Sequence, residues 1–121
     1  MPKCILIVDD SEAVRTMTRH FVECQTDVEV CGEAVDGVDA LEKTSQLSPD
    51  LIVLDLLMPR MNGLQAAREL RTMKVKTPII LFTMYADEVR PQDALAAGVS
   101  AVVSKTNLAA LAQNIESLLA S

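Results

Sequence analysis

Aromatic side chains are almost missing from this chain, which has no Trp, one Tyr and two Phe among 121 residues. Half of the residues are nonetheless hydrophobic, so its core must be aliphatic, built from Val, Ile, Leu, Ala and Met. At this length one proper core is expected, in a single domain over residues 1–121. No apolar run approaches the ~20 residues that a membrane-crossing helix needs, and the opening Met1-Pro2-Lys3-Cys4 does not read as a secretory signal. A basic surface is lacking too. The formal charge of −6 argues against direct binding to DNA or RNA, whose phosphates need Lys and Arg. Cysteine is sparse and odd in number: Cys4, Cys24 and Cys31 sit in apolar contexts without metal-ligand spacing. Buried free thiols in a reducing cytosol are expected from them, not a disulfide or a metal site. Neither GxGxxG nor GxxxxGKS/T occurs, which leaves dinucleotide and P-loop nucleotide binding unsupported. Internal repeats, low-complexity segments and linkers are absent as well.

What is present is a strict alternation of short apolar runs with helical patterns. Cys4-Ile-Leu-Ile-Val8 has strand length and ends in Asp9-Asp10-Ser11. Val14, Met17, Phe21 and Cys24 then recur at helical spacing, with Ser11 placed as N-cap. Val28 to Ala34 alternates like a strand with one wet side, which suits a sheet edge. A second helix opens at Asp36-Gly37 and stops before Pro49, and Leu51-Ile-Val-Leu54 is a wholly apolar strand. Asn62 to Met73 reads as a helix, Ile79 to Phe82 as a buried strand, and Asp87 to Ala97 as a helix closed by Gly98. Ala101 to Val103 is the last strand, and Leu108, Leu111, Ile115 and Leu118 form the inner stripe of the last helix. Five such pairs predict an α/β fold: a doubly wound, flavodoxin-like parallel sheet of order 2-1-3-4-5 with helices on both faces.

Polar residues follow the strands in a pattern with chemical content. Asp9 and Asp10 come after the first, Asp55 after the third, Thr83 after the fourth and Lys105 after the fifth. Parallel strands would gather all five at one rim. Two carboxylates at ~4 Å repel by ~4 kcal/mol at an effective dielectric near ~20, equivalent to ~3 pKa units. A divalent cation relieves that repulsion, and a few hard oxygen donors suit Mg²⁺. A carboxylate can itself be the nucleophile and form an acyl phosphate. Lys105 offers a compact positive charge to one phosphoryl oxygen, and the Thr83 hydroxyl can donate to another.

These residues, with their neighbours, carry a resemblance. The runs Ile5-Leu-Ile-Val-Asp-Asp10, Pro49 to Gly63, Thr77 to Thr83, Ala97-Gly-Val-Ser100 and Lys105 stand in this order along essentially the whole chain. The sequence resembles a response-regulator receiver domain of bacterial two-component signalling, of the chemotaxis-regulator kind. The resemblance implies Asp55 as phospho-acceptor, Asp10 as a direct Mg²⁺ ligand, Asp9 acting through water, and the Leu57 carbonyl as a further ligand. It also implies Thr83 as the hydroxyl that swings toward the phosphoryl group, with Lys105 as the ion-pair partner. The implied partners are a sensor histidine kinase or phosphotransfer protein and an output protein or domain reading the face of helix four, strand five and helix five. Neither nucleic acid nor membrane is touched directly, a phosphorylation-dependent homodimer is possible, and the location implied is cytoplasmic.

Three positions depart from the family pattern. Val102 stands where an aromatic reporter often lies, and Thr106 follows Lys105 where proline, across a cis bond, is common. A cis bond there would cost ~2.5–4 kcal/mol, and the isomer is left open. Pro91 falls within the usual start of the fourth helix, so that helix is expected to begin late, near Arg90. An aspartyl-phosphate hydrolase is the enzymatic rival, but it wants an acid two residues after the nucleophile, where Leu57 stands. A signalling domain that modifies itself is therefore expected rather than an enzyme acting on a small substrate. Leu57 and Tyr85 flank the approach of water and neither is a base at neutral pH, which predicts slow hydrolysis of the acyl phosphate. A module that is never phosphorylated fits poorly with five retained polar residues. His20 reads as a plain helical histidine. A stand-alone receiver is expected over the receiver portion of a DNA-binding transcriptional regulator.

Overall fold

Three of the apolar runs have no polar position, which only a strand covered on both faces tolerates. In the computed structural model, which describes residues 2–120, these runs are β1 (Cys4–Val8), β3 (Leu51–Leu54) and β4 (Ile79–Thr83). They form the centre of a five-stranded parallel sheet of order β2-β1-β3-β4-β5, with β2 (Glu29–Ala34) and β5 (Ala101–Ser104) at the edges. The helices are α1 (Glu12–Gln25), α2 (Gly37–Leu47), α3 (Gly63–Thr72), α4 (Pro91–Ala97) and α5 (Leu108–Leu119). The expected flavodoxin-like architecture and strand order are those observed. Met1 and Ser121 lie outside the described residues.

Successive strand residues point to opposite faces, and the alternation sorts the aliphatic residues into two cores. Leu6, Val8, Ile52, Leu54, Ile79 and Leu81 pack with Ala40, Ala66, Leu70 and Ala97 from α2, α3 and α4. Ile5, Ile7, Leu51, Val53, Ile80 and Phe82 pack on the other face with Val22 of α1 and with Leu111 and Ile115 of α5.

Local signals at the helix ends are used as written. The Ser11 side chain accepts the Val14 N–H, and Asp36 accepts that of Asp39, which satisfies donors the first helical turn leaves free. Pro91 occupies the first position of α4 after Arg90, and Gly98 closes that helix.

Four expectations are corrected. Of the apolar residues at helical spacing in α1, Phe21 packs on the core and Val14 is half-buried, but Met17 and Cys24 are exposed and the fully buried positions are Thr18 and Val22. The segment from Asp87 does not open α4 but belongs to a short 3-10 turn, Ala86–Glu88, because Pro91 permits the α-helix only from its own position onward. The alternation of β2 is interrupted by a bulge: Ile5 lies opposite Val30 and Leu6 opposite Gly32, which leaves Cys31 as the extra residue. Finally, the thiols are not all free and buried. Cys4 and Cys31 form a disulfide between the neighbouring strands β1 and β2, with Cα atoms 5.4 Å apart, while Cys24 is free and exposed. Parallel pairing brings together two cysteines 27 positions apart, a proximity that spacing alone does not reveal.

Leu111 is fully buried against the sheet. Leu111→Ala should therefore cost about 2–5 kcal/mol in urea unfolding with an unchanged denaturant slope; a loss well below this range would mean that α5 is not a core element.

Candidate functional site

The carboxyl ends of four strands meet at one rim, and the backbone ladder extends past the strands far enough to hold their next residues. Asp9 N–H donates to the Ala34 carbonyl at 3.0 Å, Asp55 N–H to the Val8 carbonyl at 2.9 Å, and Lys105 N–H to the Thr83 carbonyl at 3.0 Å. The side chains that follow are thus mounted on the sheet rather than on free loops. Gly63 tightens the arrangement: its N–H donates to the Leu56 carbonyl at 2.8 Å, and an added Cβ would collide with the Asp55 carbonyl oxygen.

Carboxylate oxygens of Asp9, Asp10 and Asp55 all lie within 4.8 Å of one another. Asp9 and Asp55 are 4% and 7% exposed, whereas Asp10 faces solvent. Lys105 answers the repulsion. Its Nζ donates to Asp9 Oδ2 at 2.7 Å and lies 3.3 Å from Asp55 Oδ2. The remaining oxygens of the buried acids are also engaged: Ser11 N–H donates to Asp9 Oδ1 at 2.9 Å, and Leu56 N–H to Asp55 Oδ1 at 2.8 Å. Burial pushes the Asp55 carboxyl above its ordinary range and the charge on Asp9 adds to this; the Lys105 ammonium and the Leu56 N–H pull it part of the way back. Burial alone would lower the Lys105 ammonium, yet Asp9 and Asp55 together hold it above its usual value.

The sequence-predicted site residues are placed as follows. Asp9, Asp10, Asp55 and Lys105 converge. Thr83 ends β4 at the same rim and is fully buried, but its Oγ1 accepts the Tyr85 N–H at 3.1 Å and so is engaged by the following loop. Leu57 is half exposed in a cleft beside Asp10, shared with Met58, Pro59, Arg60, Met61, Asn62 and Gln65. The Lys105–Thr106 bond is trans. His20 lies on α1 with its ring nitrogens 3.7–3.8 Å from Cys24 Sγ, outside this group.

Two supports escaped the sequence reading. Arg15 Nη1 donates to the Asp9 carbonyl at 2.8 Å, while its Nε donates to Glu33 Oε1 at 2.9 Å. Because that carbonyl belongs to the peptide joining Asp9 to Asp10, Arg15 ties the acid pair to edge strand β2. Glu33 also accepts from Arg19 Nε at 2.8 Å. Partial burial works against its charge, but Arg19 and Arg15 hold its carboxyl below the ordinary range. The second support is the reciprocal cap of α3, in which Asn62 Oδ1 accepts the Gln65 N–H and Gln65 Oε1 accepts the Asn62 N–H, both at 2.9 Å. The Asn-x-x-Gln spacing carried that signal. For Arg15, only the i, i+4 pair of arginines facing an alternating strand hinted at it.

Comparisons with known proteins agree with this geometry. A family model described as the response regulator receiver domain matches residues 5–116. The chain is 38% identical over 115 residues to a protein-glutamate methylesterase/protein-glutamine glutaminase of Nocardioides sp., covering 93% of this chain and 31% of that protein. It is 37% identical over 109 residues to the response regulator protein VraR of Staphylococcus saprophyticus, covering 90% and 52%. This chain thus spans about a third to a half of the length of these relatives. Among solved structures, the response regulator protein TrrA of Thermotoga maritima, in complex with Mg(2+)-BeF, superposes with a TM-score of 0.86 at 30% identity, covering 97% of this chain and 99% of that one.

The raised Asp55 carboxyl has a consequence for stability. An acid whose folded-state pKa is raised holds its proton more tightly in the native chain, so native stability falls as pH rises through that range. The deficit is fully present above the raised value and absent below the ordinary value of 3.8. Asp55→Asn should therefore melt at a higher temperature than the wild type at neutral pH, in metal-free buffer. The gap should close as pH drops below the ordinary carboxylate range; thermal melts across pH that show no gap would contradict the assignment.

Proposed function

This chain belongs to the response regulator receiver domain family, and from that premise we propose that Asp55 accepts a phosphoryl group from a phosphohistidine on a sensor histidine kinase or phosphotransfer protein. The observation that carries the reading is Lys105, whose ammonium spans Asp9 and Asp55 at a rim where three carboxylates crowd together. A carboxylate oxygen of Asp55 attacks phosphorus as the bond from phosphorus to the imidazole nitrogen breaks, and that nitrogen leaves with the electron pair. Lys105 stands where it can neutralise a phosphoryl oxygen once Asp55 is modified.

The donor set suits Mg²⁺. It consists of hard oxygens, and one of its members, Asp10, is open to solvent so that waters can complete an octahedral shell. Asp10 and Asp55 would bind directly, with the Leu57 carbonyl as a further ligand. Asp9, whose two oxygens are already occupied by Ser11 N–H and Lys105, would act through water. Bound there, the ion would neutralise charge on the phosphoryl oxygens.

The switch would run through Thr83. Its Oγ1 accepts the Tyr85 N–H while its O–H can donate to a phosphoryl oxygen, so a turn of the hydroxyl toward that oxygen would be felt by the loop from Met84 to Val89 that leads into α4. Phosphorylation can bias two states only through such differential contacts, and the face of α4, β5 and α5 would carry the change to an output partner. Tyr85 and Leu95 are exposed there, and Val102 replaces an aromatic reporter. Residues 1–121 are read as one receiver domain, acting in the cytoplasm, with self-modification and slow self-hydrolysis as its own chemistry. A second reading has support in the length of VraR and the methylesterase relative: a receiver joined to an output domain, a DNA-binding one included.

With acetyl phosphate and Mg²⁺, wild-type protein should gain the mass of one phosphoryl group and keep it for minutes or longer. Asp55→Asn, or chelation of the metal, should abolish the gain; a label that survives Asp55→Asn would put the acceptor elsewhere. Lys105→Met should leave the attachment site unchanged but slow labelling by about 10²–10³-fold, read from the time course of the same mass shift.

A further inference from the structure

The loop between Asp55 and α3 carries the Leu57 carbonyl, and none of its residues is fully buried. Two independent features bind it to the start of α2. Arg60 Nε donates to Asp36 Oδ2 at 2.7 Å and Arg60 Nη2 to Asp36 Oδ1 at 3.1 Å. The guanidinium fork thus grips a carboxylate that also caps α2 through the Asp39 N–H at 2.8 Å. Beside it, a Cβ added to Gly37 would lie 2.6 Å from the Met61 carbonyl oxygen, so the loop backbone rests directly on the first residue of α2.

Arg60 makes this grip from a left-handed backbone with φ of +66°. A non-glycine residue keeps that conformation only where its surroundings impose it. Asp36 is itself 5% exposed, so the fork is anchored in the fold, and Arg60 pulls the Asp36 carboxyl below its ordinary range. Arg60 and Met61 line the cleft beside Asp10, but Arg60 is paired with Asp36 and not with the acids of the rim.

We propose that Asp36 and Arg60 are positioning residues for the metal site: their ion pair, with the bare backbone of Gly37, sets the path of the loop and hence the direction of the Leu57 carbonyl. The inference rests on the reading of the site given under Proposed function. A loop released from α2 would sample other paths, and a carbonyl that must be reoriented at binding weakens a metal site. Nothing in the transfer step itself requires Arg60, so the effect falls on metal affinity and not on chemistry at saturation.

Arg60→Gln and Asp36→Asn, the second keeping a capping side chain for α2, separate these roles. Calorimetric Mg²⁺ titration should show about tenfold weaker binding for each, at the low end of losses from groups supporting metal ligands. Labelling by acetyl phosphate should need correspondingly more Mg²⁺ for half-maximal rate and reach the wild-type rate at saturation. Arg60→Lys should recover part of the affinity. The double variant should be no worse than either single one, because both remove the same contact. Folded variants, checked by circular dichroism, with wild-type Mg²⁺ affinity would overturn the inference while leaving the receiver reading intact. A wild-type chain that takes up neither Mg²⁺ nor a phosphoryl group would overturn both.

Discussion

The site is held by one cation facing crowded carboxylates. Asp9 and Asp55 are nearly removed from water and close enough to raise each other's energy, and Lys105 from the far edge strand is the group that balances them. Removing one partner of such a buried set leaves an uncompensated charge, which is more damaging than the pair is favourable. On the proposed reading, the crowding would serve to keep these acids together for a cation and a phosphoryl group. A receiver in its unmodified form is therefore locally strained by charge, and Lys105 makes that strain tolerable.

Around this centre the scaffold is organised to prevent the acids from moving apart. The ladder hydrogen bonds to Asp9, Asp55 and Lys105 continue the sheet into the site, and Arg15 fixes the peptide between Asp9 and Asp10 from the side. Thr83 differs from the others in that its hydroxyl accepts from the following loop. On the reading proposed above, the fixed acids would hold the metal and the Thr83 hydroxyl would pass the modification on toward α4.

Comparison with the sequence reading shows where linear patterns suffice. The apolar runs at positions 5–8, 51–54 and 79–82 had to be central strands, because no polar face was available to meet water. The cap at Ser11 is a short-range feature, legible from neighbouring residues. In α1 the apolar spacing marks the buried face only in part: Phe21 packs on the core, but Thr18 lies inside while Met17 is exposed. Pro91 signalled a late start for α4, yet the single turn at Ala86–Glu88 ahead of it was not legible.

Sequence alone determined the parallel α/β fold and the five polar residues at the strand ends, and it narrowed the strand order to few topologies, since burial pattern and chain alternation place those ends together. Only the tertiary structure decided which oxygen meets which donor: that Lys105 is closer to Asp9 than to Asp55, that Arg15 reaches the Asp9 carbonyl, that Arg60 grips Asp36, and that Cys4 meets Cys31. These contacts join residues far apart along the chain, through register, a bulge and side-chain rotamers. No local periodicity encodes such pairings, because their energy exists only once the strands and helices have packed.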